Sequence, residues 1–180
     1  MKHQVRFASK GAVNGGFTLL ELMTCIVIIL ILASLLTPSL SRLREKARAA
    51  QCASNLKSLF VAANSSIQDN QHWPQVKGMN IGSEEFSLAW LKELQPYGIS
   101  KKNWLCPTIK DELHYTDTGP FHVDYVPTPF DAKPITPFLW PTHPWFSERG
   151  SVHGDGNLII LTNGSVRSLN ELIGSSQSGP

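Results

Sequence analysis

Residues 15–21 read Gly15-Gly16-Phe17-Thr18-Leu19-Leu20-Glu21, and an apolar run continues from them to Leu40. No charged residue occurs from Leu22 to Leu36. A helix over residues 17–40 would be roughly 36 Å long at about 1.5 Å per residue, which exceeds the hydrocarbon core of a bilayer, about 30 Å thick. A buried helix of a soluble domain is seldom this long and apolar on every face. We therefore predict a transmembrane helix over residues 17–40.

Glu21 is the acidic residue at the start of this run. An unpaired carboxylate costs about 2.5–3.5 kcal/mol at the bilayer centre, and less near the interface. Glu21 therefore either reaches the headgroups or pairs with a cation. If the chain were cut between Gly16 and Phe17, the new α-amino group of Phe17 on a neighbouring chain could be that cation. On this interpretation Glu21 is a device for assembly.

The segment Gly16-Phe17-Thr18-Leu19-Leu20-Glu21 resembles the prepilin processing site of type IV pilins and type II secretion pseudopilins. The resemblance implies that a membrane peptidase cuts after Gly16 and N-methylates Phe17, and that Glu21 aligns neighbouring subunits in a fibre. Members of this family commonly have a proline in the second half of the span, where Pro38 stands. The implied partners are the prepilin peptidase, related pilin subunits, an inner-membrane assembly platform and membrane lipid.

Residues 1–16 are predicted to be a leader peptide. They carry Lys2, Arg6 and Lys10 and no acid. The proposed cut precedes the apolar run, whereas a secretory signal peptide is cut after it, so the protein would stay anchored. Basic residues also follow the run between Arg42 and Arg48, so the positive-inside rule does not decide the orientation. The resemblance implies a single-pass inner-membrane protein with a cytoplasmic leader and a periplasmic or extracellular C-terminal domain.

Residues 41–70 are predicted to continue the helix in amphipathic form. Apolar residues recur there at steps of three and four, with Arg, Lys, Glu, Gln and Asn between them. We expect one helix from about Thr18 to about Asp69. Its apolar stripe needs a partner surface, which residues 71–180 would supply as a pilin-like globular domain. The predicted fold class is α+β.

The C-terminal domain is rich in proline and tryptophan. Ten of the twelve Pro and all five Trp lie between residues 70 and 150. We expect a long irregular loop over residues 116–148, because proline removes the hydrogen-bond donors that a sheet needs. Ser83 is expected to cap a short helix that ends before Pro96. The tryptophans are interpreted as core residues rather than as a binding platform.

The last part of the chain indicates a β-hairpin. Residues 157–162 and 165–169 are strand-like and flank Asn163-Gly164. An Asn-Gly pair in this position favours a type I′ turn. Because two strands alone are marginal in water, we expect a third strand near residues 121–125.

A second resemblance concerns short motifs found in a large group of prepilin-like proteins. His153 precedes Asn163-Gly164 by ten positions, which is similar to their motif of His, nine residues and Asp-Gly. Cys52-Ala53-Ser54-Asn55-Leu56-Lys57 is similar to their Cys-x-x-Asn-Leu-Lys segment, and Trp104-Leu105-Cys106-Pro107 to their Cys-Pro element. Asn163 stands where these proteins have Asp, which keeps the turn chemistry but removes a carboxylate.

The three cysteines have different interpretations. Cys25 lies in the apolar run and is interpreted as an apolar filler. Cys52 and Cys106 would both lie outside the cytoplasm, where disulfides persist. They form either a disulfide or two buried thiols, and the sequence leaves both readings open.

Metal sites are weakly indicated. His114, Asp117, His122 and Asp124 crowd one loop without the spacing of a zinc site or the oxygen set of a calcium loop. The resemblance to major pseudopilins implies calcium near the C-terminal end, for which the candidates are Asp155 and Asn157. A turn held by side-chain to backbone hydrogen bonds is the favoured interpretation, and no cofactor is predicted.

No catalytic pattern is found: the sequence has no Gly-x-Ser-x-Gly, no phosphate-binding loop and no His-Glu-x-x-His. The net charge of +2 does not indicate a nucleic-acid partner. We therefore predict a structural subunit, not an enzyme, that is processed by the prepilin peptidase and assembled into a type IV pilus-like or type II secretion pseudopilus fibre. The alternative is a membrane-tethered binding module that uses the prepilin route for targeting only, with residues 121–146 as its site.

Overall fold

The computed structural model describes residues 18–76, 80–112, 119–150, 152–153 and 156–177. The predicted leader, residues 1–16, and the processing pair Gly16 and Phe17 lie outside the described residues. The chain divides into two compact units, Met1–Arg42 and Leu43–Pro180.

Helix α1 spans Leu19–Asn70, which confirms the single helix expected over residues 18–69. At its start the hydroxyl of Thr18 accepts a hydrogen bond of 3.3 Å from the backbone N–H of Glu21, as an N-cap residue does. At its end Gln71 adopts a positive φ of 60°, and its N–H donates to the carbonyl of Ile67 at 2.8 Å. A left-handed residue of this kind closes many helices.

The first unit presents its apolar side chains to the outside. Every described side chain from Thr18 to Ser34 is exposed, including those of Leu19 (76% exposed) and Ile29 (63% exposed). Among the residues that the structure describes, no helix has both the length and the apolar character required to cross a bilayer. The helix itself is confirmed over these residues, but the transmembrane helix expected over residues 17–40 is not.

In the second unit one face of α1 is buried against the rest of the domain. The buried apolar stripe begins later than the sequence pattern suggested, because Leu40 and Leu43 are exposed. Its members recur at three- and four-residue steps: Cys52, Leu56, Leu59, Ala62, Ala63 and Ile67. The amphipathic character expected of residues 41–70 is therefore confirmed only from Cys52 onward.

Helix α2 spans Glu84–Leu94 and follows the predicted cap. The Ser83 hydroxyl accepts a hydrogen bond of 3.1 Å from the N–H of Phe86. A 3₁₀ turn over Gln95–Tyr97 takes in Pro96 and ends at Gly98, whose φ is 84°. A second 3₁₀ turn, Lys101–Trp104, leads to helix α3, Pro107–Glu112.

Four antiparallel strands form one sheet in the order β1-β2-β3-β4. Their bounds are Tyr125–Pro127, Pro144–Glu148, Leu158–Leu161 and Val166–Ser168. The irregular loop expected over residues 116–148 is therefore wrong, since it contains β1 and β2 as well as a 3₁₀ turn, Thr136–Phe138. Proline is tolerated because Pro127 lies on the edge strand and Pro144 begins its strand. The expected third strand exists, but it starts at Tyr125 instead of ending there.

The β3–β4 hairpin confirms the expected pairing, with Leu158 opposite Ser168 and Ile160 opposite Val166. The type I′ turn is wrong: Gly164 has a positive φ of 75°, but Asn163 does not. The N–H of Gly164 instead donates to the carbonyl of Leu161 at 2.8 Å, and the loop runs over four residues. Helix α4, Leu169–Gln177, follows β4 at once and was not predicted.

The core lies between α1, α2 and the sheet and is built from large aromatic side chains. Four of the five tryptophans are buried in it, as expected: Trp73, Trp90, Trp104 and Trp145. Trp73 lies 5.1 Å from Trp145 and 5.8 Å from Phe146 between ring centroids. Trp140 is the exception, since 54% of it is exposed.

Candidate functional site

The first candidate site is the start of α1. Glu21 lies in its first turn, where a negative charge is favoured by the helix dipole, and its side chain is exposed. Its neighbours Leu20 and Leu22 are exposed as well. The structure thus places a carboxylate on an uncovered apolar surface. Gly16 and Phe17, the other two residues of this site, lie outside the described residues.

The second candidate site is a buried polar cluster around a disulfide. Cys52, in α1, is bonded to Cys106, the residue before α3, with 5.4 Å between their Cα atoms. Both residues are fully buried. Of the two alternatives left open by the sequence, the structure has the disulfide. Cys25 is free and exposed.

Asn55 lies one helical turn after Cys52 and supports the same segment. Its side-chain Nδ2 donates to the backbone carbonyl of Leu105 at 3.0 Å and lies 3.5 Å from the hydroxyl of Tyr125. Leu56 beside it is fully buried, whereas Lys57 is exposed. The Cys-x-x-Asn-Leu segment therefore holds residues 105 and 106 against α1, through the disulfide of Cys52 and the hydrogen bond of Asn55.

A buried His–Glu pair lies beside the disulfide. The Nε2 atom of His153 is 3.1 Å from Oε1 of Glu148 and 3.9 Å from the Sγ atom of Cys106. The other carboxylate oxygen of Glu148 accepts a hydrogen bond of 3.1 Å from the N–H of Leu158. Burial raises the pKa of Glu148, and the Leu158 N–H and the charge of His153 offset this only in part.

A second buried carboxylate, Asp124, lies on the other side of Cys106. Its Oδ2 accepts a hydrogen bond of 2.8 Å from the Cys106 N–H, and its Oδ1 is 3.4 Å from Nε2 of His122. Burial raises the pKa of Asp124 more than this hydrogen bond and the charges of His122 and Arg149 lower it. Two of the four His and Asp residues that crowd this loop in sequence, His122 and Asp124, therefore lie side by side.

The hairpin motif has a structural role at both of its ends. His153 lies beside the disulfide, as described above. At the other end the Asn163 Oδ1 accepts hydrogen bonds from the N–H and the hydroxyl of Ser165, at 2.9 and 2.6 Å. A Cβ atom added to Gly164 would lie 3.0 Å from Cε1 of Phe60 in α1. The motif thus closes the turn against the helix, for which Asn serves as well as Asp.

Among the remaining metal candidates, the structure describes Asn157. His114, Asp117 and Asp155 lie outside the described residues. The amide Nδ2 of Asn157 donates to the carbonyl of Glu148 at 3.1 Å, which is the side-chain to backbone bond expected of a turn.

One group of metal-ligand types was missed by the sequence reading. Within the described ranges, Cys52, Cys106, Glu148 and His153 place one ligand atom each within 4.8 Å of one another. Glu148 carried no pattern of its own, because it lies at the end of a strand that was not predicted. Its position five residues before His153 was the one feature of the sequence that could have indicated that the two side chains lie close together.

His153 also lines an open cavity of about 640 Å³. Ala49, Ala50 and Ala53 of α1 form one wall, and the β3–β4 hairpin and α4 form the others. Lys57, Arg167 and Glu171 carry the charges at its surface. His153 of the buried His–Glu pair therefore borders an open groove.

Comparison with known proteins agrees with the N-terminal features. Residues 12–37 match a family described as the prokaryotic N-terminal methylation motif. The chain is 46% identical over 59 residues to the type II secretion system core protein G of Escherichia coli K12, which covers 33% of this chain and 41% of that protein. It is 38% identical over 74 residues to the core protein G of Pectobacterium carotovorum, or 41% of this chain and 47% of that one.

The chain thus spans less than half the length of the curated relatives it matches. No solved structure gives a significant match. The comparisons thus show a prokaryotic N-terminal methylation motif at residues 12–37 and a similarity to the type II secretion system core protein G.

Proposed function

We propose that this chain is a structural subunit, a pilin or pseudopilin, that is cut between Gly16 and Phe17 and assembled through its N-terminal helix into a fibre. The fibre is a type IV pilus-like filament or a type II secretion pseudopilus. The observation that carries the proposal is the methylation motif at residues 12–37, which includes the first part of α1 with its uncovered apolar side chains.

The exposed first part of α1 supports assembly through helices. A contiguous apolar surface such as the one over residues 18–34 is unfavourable in water and indicates a contact with a membrane or a protein. Leu19, Val27 and Leu30 are more than half exposed. We propose that lipid of the inner membrane covers this surface before assembly and that the helices of sister subunits cover it afterwards.

Glu21 sets the register of the helices in this proposal. Within a bundle of apolar helices an unpaired carboxylate would be costly, so a partner of opposite charge is required. Cleavage after Gly16 creates such a partner, the α-amino group of Phe17. A neighbour shifted along the fibre axis brings that group to Glu21, and any other shift leaves both charges unpaired.

The disulfide supports the proposed orientation, which the charges alone did not decide. Disulfides persist outside the cytoplasm and are rare within it, and Cys52 and Cys106 are bonded. The second unit therefore faces the periplasm or the cell exterior, with the leader in the cytoplasm. The partners are then the prepilin peptidase, the inner-membrane assembly platform and other pilin-like subunits.

The alternative, a tethered binding module, has less support. Its proposed site over residues 121–146 depended on accessible aromatic side chains. Trp145 and Phe146 are instead fully buried, and Trp140 is the exposed tryptophan of that segment.

Glu21→Ala tests the proposal in cells that make the fibre, with Glu45→Ala as the matched control. Glu45 is an exposed acid on the same helix, outside the apolar run. We expect Glu21→Ala to be inserted and cleaved normally but to fall at least about tenfold in the sheared fibre fraction, while Glu45→Ala assembles like the parent. If Glu21→Ala assembled normally, Glu21 would not set the register of the helices. If the parent chain were absent from every fibre, the tethered binding module would be favoured.

A further inference from the structure

The four ligand-type side chains of the buried cluster come from four separate parts of the second unit. Cys52 lies in α1, Cys106 precedes α3, Glu148 ends β2 and His153 lies in the loop that follows. Each offers one ligand atom, and all four atoms lie within 4.8 Å of one another. All four residues are buried. The fold therefore brings together four possible ligands from distant parts of the sequence.

The distances suit one small metal ion. In a tetrahedral zinc site the metal lies about 2.3 Å from sulfur and about 2.0–2.2 Å from nitrogen and oxygen, so neighbouring ligand atoms lie roughly 3.3–3.8 Å apart. The Nε2 of His153 is 3.9 Å from the Cys106 Sγ and 3.1 Å from the Glu148 Oε1. Shifts of a few tenths of an ångström would bring these three atoms to zinc geometry, whereas the two bonded sulfur atoms must separate to about 3.8 Å once the disulfide is reduced.

The outer contacts of the cluster also suit metal binding. The second oxygen of Glu148 is held by the N–H of Leu158 at 3.1 Å, which leaves Oε1 directed at the cluster. The N–H of Cys106 donates to Asp124 at 2.8 Å and fixes the backbone of that ligand. Such hydrogen bonds around a site hold the ligands in position. His153 also borders the groove described above, so this side of the cluster lies next to an opening on the surface.

We propose that reduction of the Cys52–Cys106 bond converts this cluster into a binding site for one thiophilic divalent cation, with Zn²⁺ the best fit. The ligands are the two cysteine thiolates, the Nε2 of His153 and the Oε1 of Glu148. Two sulfurs with one nitrogen and one oxygen favour zinc over calcium or magnesium, which take oxygen ligands. The proposal is independent of the fibre function.

The redox step balances as follows. A dithiol reductant supplies two electrons and two protons, breaks the S–S bond to give two thiols, and is itself oxidised to a disulfide. The cation then displaces the two thiol protons to solvent. The proton shared by the His153 Nε2 and the Glu148 Oε1 must also leave, because both atoms become metal ligands. Because each sulfur either bonds the other sulfur or the metal, the two states exclude each other. In both states α1 is tied to the segment that precedes α3, so the metal would hold the domain before the disulfide forms.

The test uses the full-length chain in detergent, reduced with a phosphine that is then removed, and Co²⁺ alone as the probe. We expect one Co²⁺ per reduced chain, a thiolate-to-cobalt charge-transfer band, and displacement by Zn²⁺. The oxidised chain should show neither the band nor the binding. His153→Gln and Glu148→Gln should each weaken Co²⁺ binding at least about tenfold, and His72→Gln, which changes a histidine outside the cluster, should not.

Circular dichroism of each variant in its oxidised form checks that the fold is kept. If a variant fails this check, the deciding measurement is the rate at which an alkylating reagent modifies Cys52 and Cys106 in the reduced parent. We expect Zn²⁺ to slow this alkylation at least about tenfold. Absence of the charge-transfer band in the reduced parent would overturn the proposal. So would equal Co²⁺ affinity in the parent and in both folded variants, since the cysteines alone would then bind the metal.

Discussion

The side-chain amide of Asn55 donates a 3.0 Å hydrogen bond to the backbone carbonyl of Leu105, the residue before the bridged Cys106. Asn55 and Cys52 lie three positions apart on α1 and therefore point to the same side of the helix. One turn of helix thus holds one short segment by a covalent bond and by a hydrogen bond. This double attachment is what the Cys52-x-x-Asn55 pattern contributes to the structure of this chain.

Asn55→Ala is expected to lower the free energy of unfolding by about 0.5–1.5 kcal/mol, because the part-buried hydrogen bond to the Leu105 carbonyl would be lost. Ser54→Ala is the control, since Ser54 is exposed and contributes its backbone carbonyl, not its side chain, to Ser58. Urea denaturation followed by tryptophan fluorescence measures both. Equal stability of the two variants would mean that the amide hydrogen bond contributes nothing.

Replacement of Cys52 and Cys106 together by Ser is expected to lower the free energy of unfolding by about 4 kcal/mol. The bond joins residues 54 positions apart, and closing a loop of that length removes about this much chain entropy from the unfolded state. Cys25→Ser serves as the control because Cys25 is free and exposed. A double variant as stable as the Cys25→Ser chain would contradict the stabilising role of the bridge.

Gly164→Ala is expected to be more destabilising than Gly98→Ala. Both glycines have a positive φ, 75° and 84°, so alanine costs about 1 kcal/mol or more at either site. At Gly98 an added Cβ meets nothing within 4 Å, whereas at Gly164 it lies 3.0 Å from Phe60. The Phe60 ring is itself packed on Trp145, with ring centroids 4.6 Å apart, and cannot move freely. We therefore expect a further loss of about 1 kcal/mol at Gly164.

Thermal denaturation of the two glycine variants gives the comparison. Gly174→Ala adds a positive control, because Gly174 is helical and open, and alanine there should raise stability by up to about 1 kcal/mol. If Gly164→Ala and Gly98→Ala had the same melting temperature, close packing of the hairpin on α1 would be refuted.

Asp124→Asn should change the pH dependence of stability. Because burial raises the pKa of Asp124 in the folded chain, its contribution is fully present below the unfolded pKa, near 4. That contribution is lost as the pH rises through the folded value and the buried carboxyl ionises. Asparagine keeps an acceptor for the Cys106 N–H and never ionises. The stability of the variant relative to the parent should therefore rise from pH 4 to pH 7.

Asp131→Asn is the matched control with the opposite sign. Hydrogen bonds from Thr136 and from the Lys133 N–H lower the pKa of this exposed carboxyl, so its contribution is present at neutral pH and lost on acidification. Urea denaturation at both pH values distinguishes the two variants. A relative stability of Asp124→Asn that falls from pH 4 to pH 7 would contradict the effect assigned to burial.

Features set by neighbours in sequence could be predicted. The Ser83 cap, the continuous helix α1 and the pairing of residues 158–161 with 166–168 all follow from local patterns of residue type. The turn itself was misjudged because the Asn163 side chain bonds to Ser165 and replaces the backbone geometry expected of Asn-Gly.

Features set by distant contacts could not be predicted. Strands β1 and β2 are short and contain proline, and they exist because each finds a neighbour in the sheet. The cluster of Glu148 and His153 with the disulfide forms only because Glu148, the last residue of β2, lies beside α1 and the segment that precedes α3. The disulfide between Cys52 and Cys106 also depends on a distant contact, so from the sequence it was one of two alternatives, the other being two buried thiols.

The central claim is that the chain loses its leader and assembles through a helix that then begins at Phe17. Determination of the N-terminal residue of the protein recovered from sheared fibres tests it most directly, with Gly16→Asp as the uncleaved control. The account predicts N-methylated Phe17 as the first residue of the parent chain and an intact leader, absent from fibres, in the variant. Fibres whose subunits begin at Met1, or at any residue other than Phe17, would contradict it.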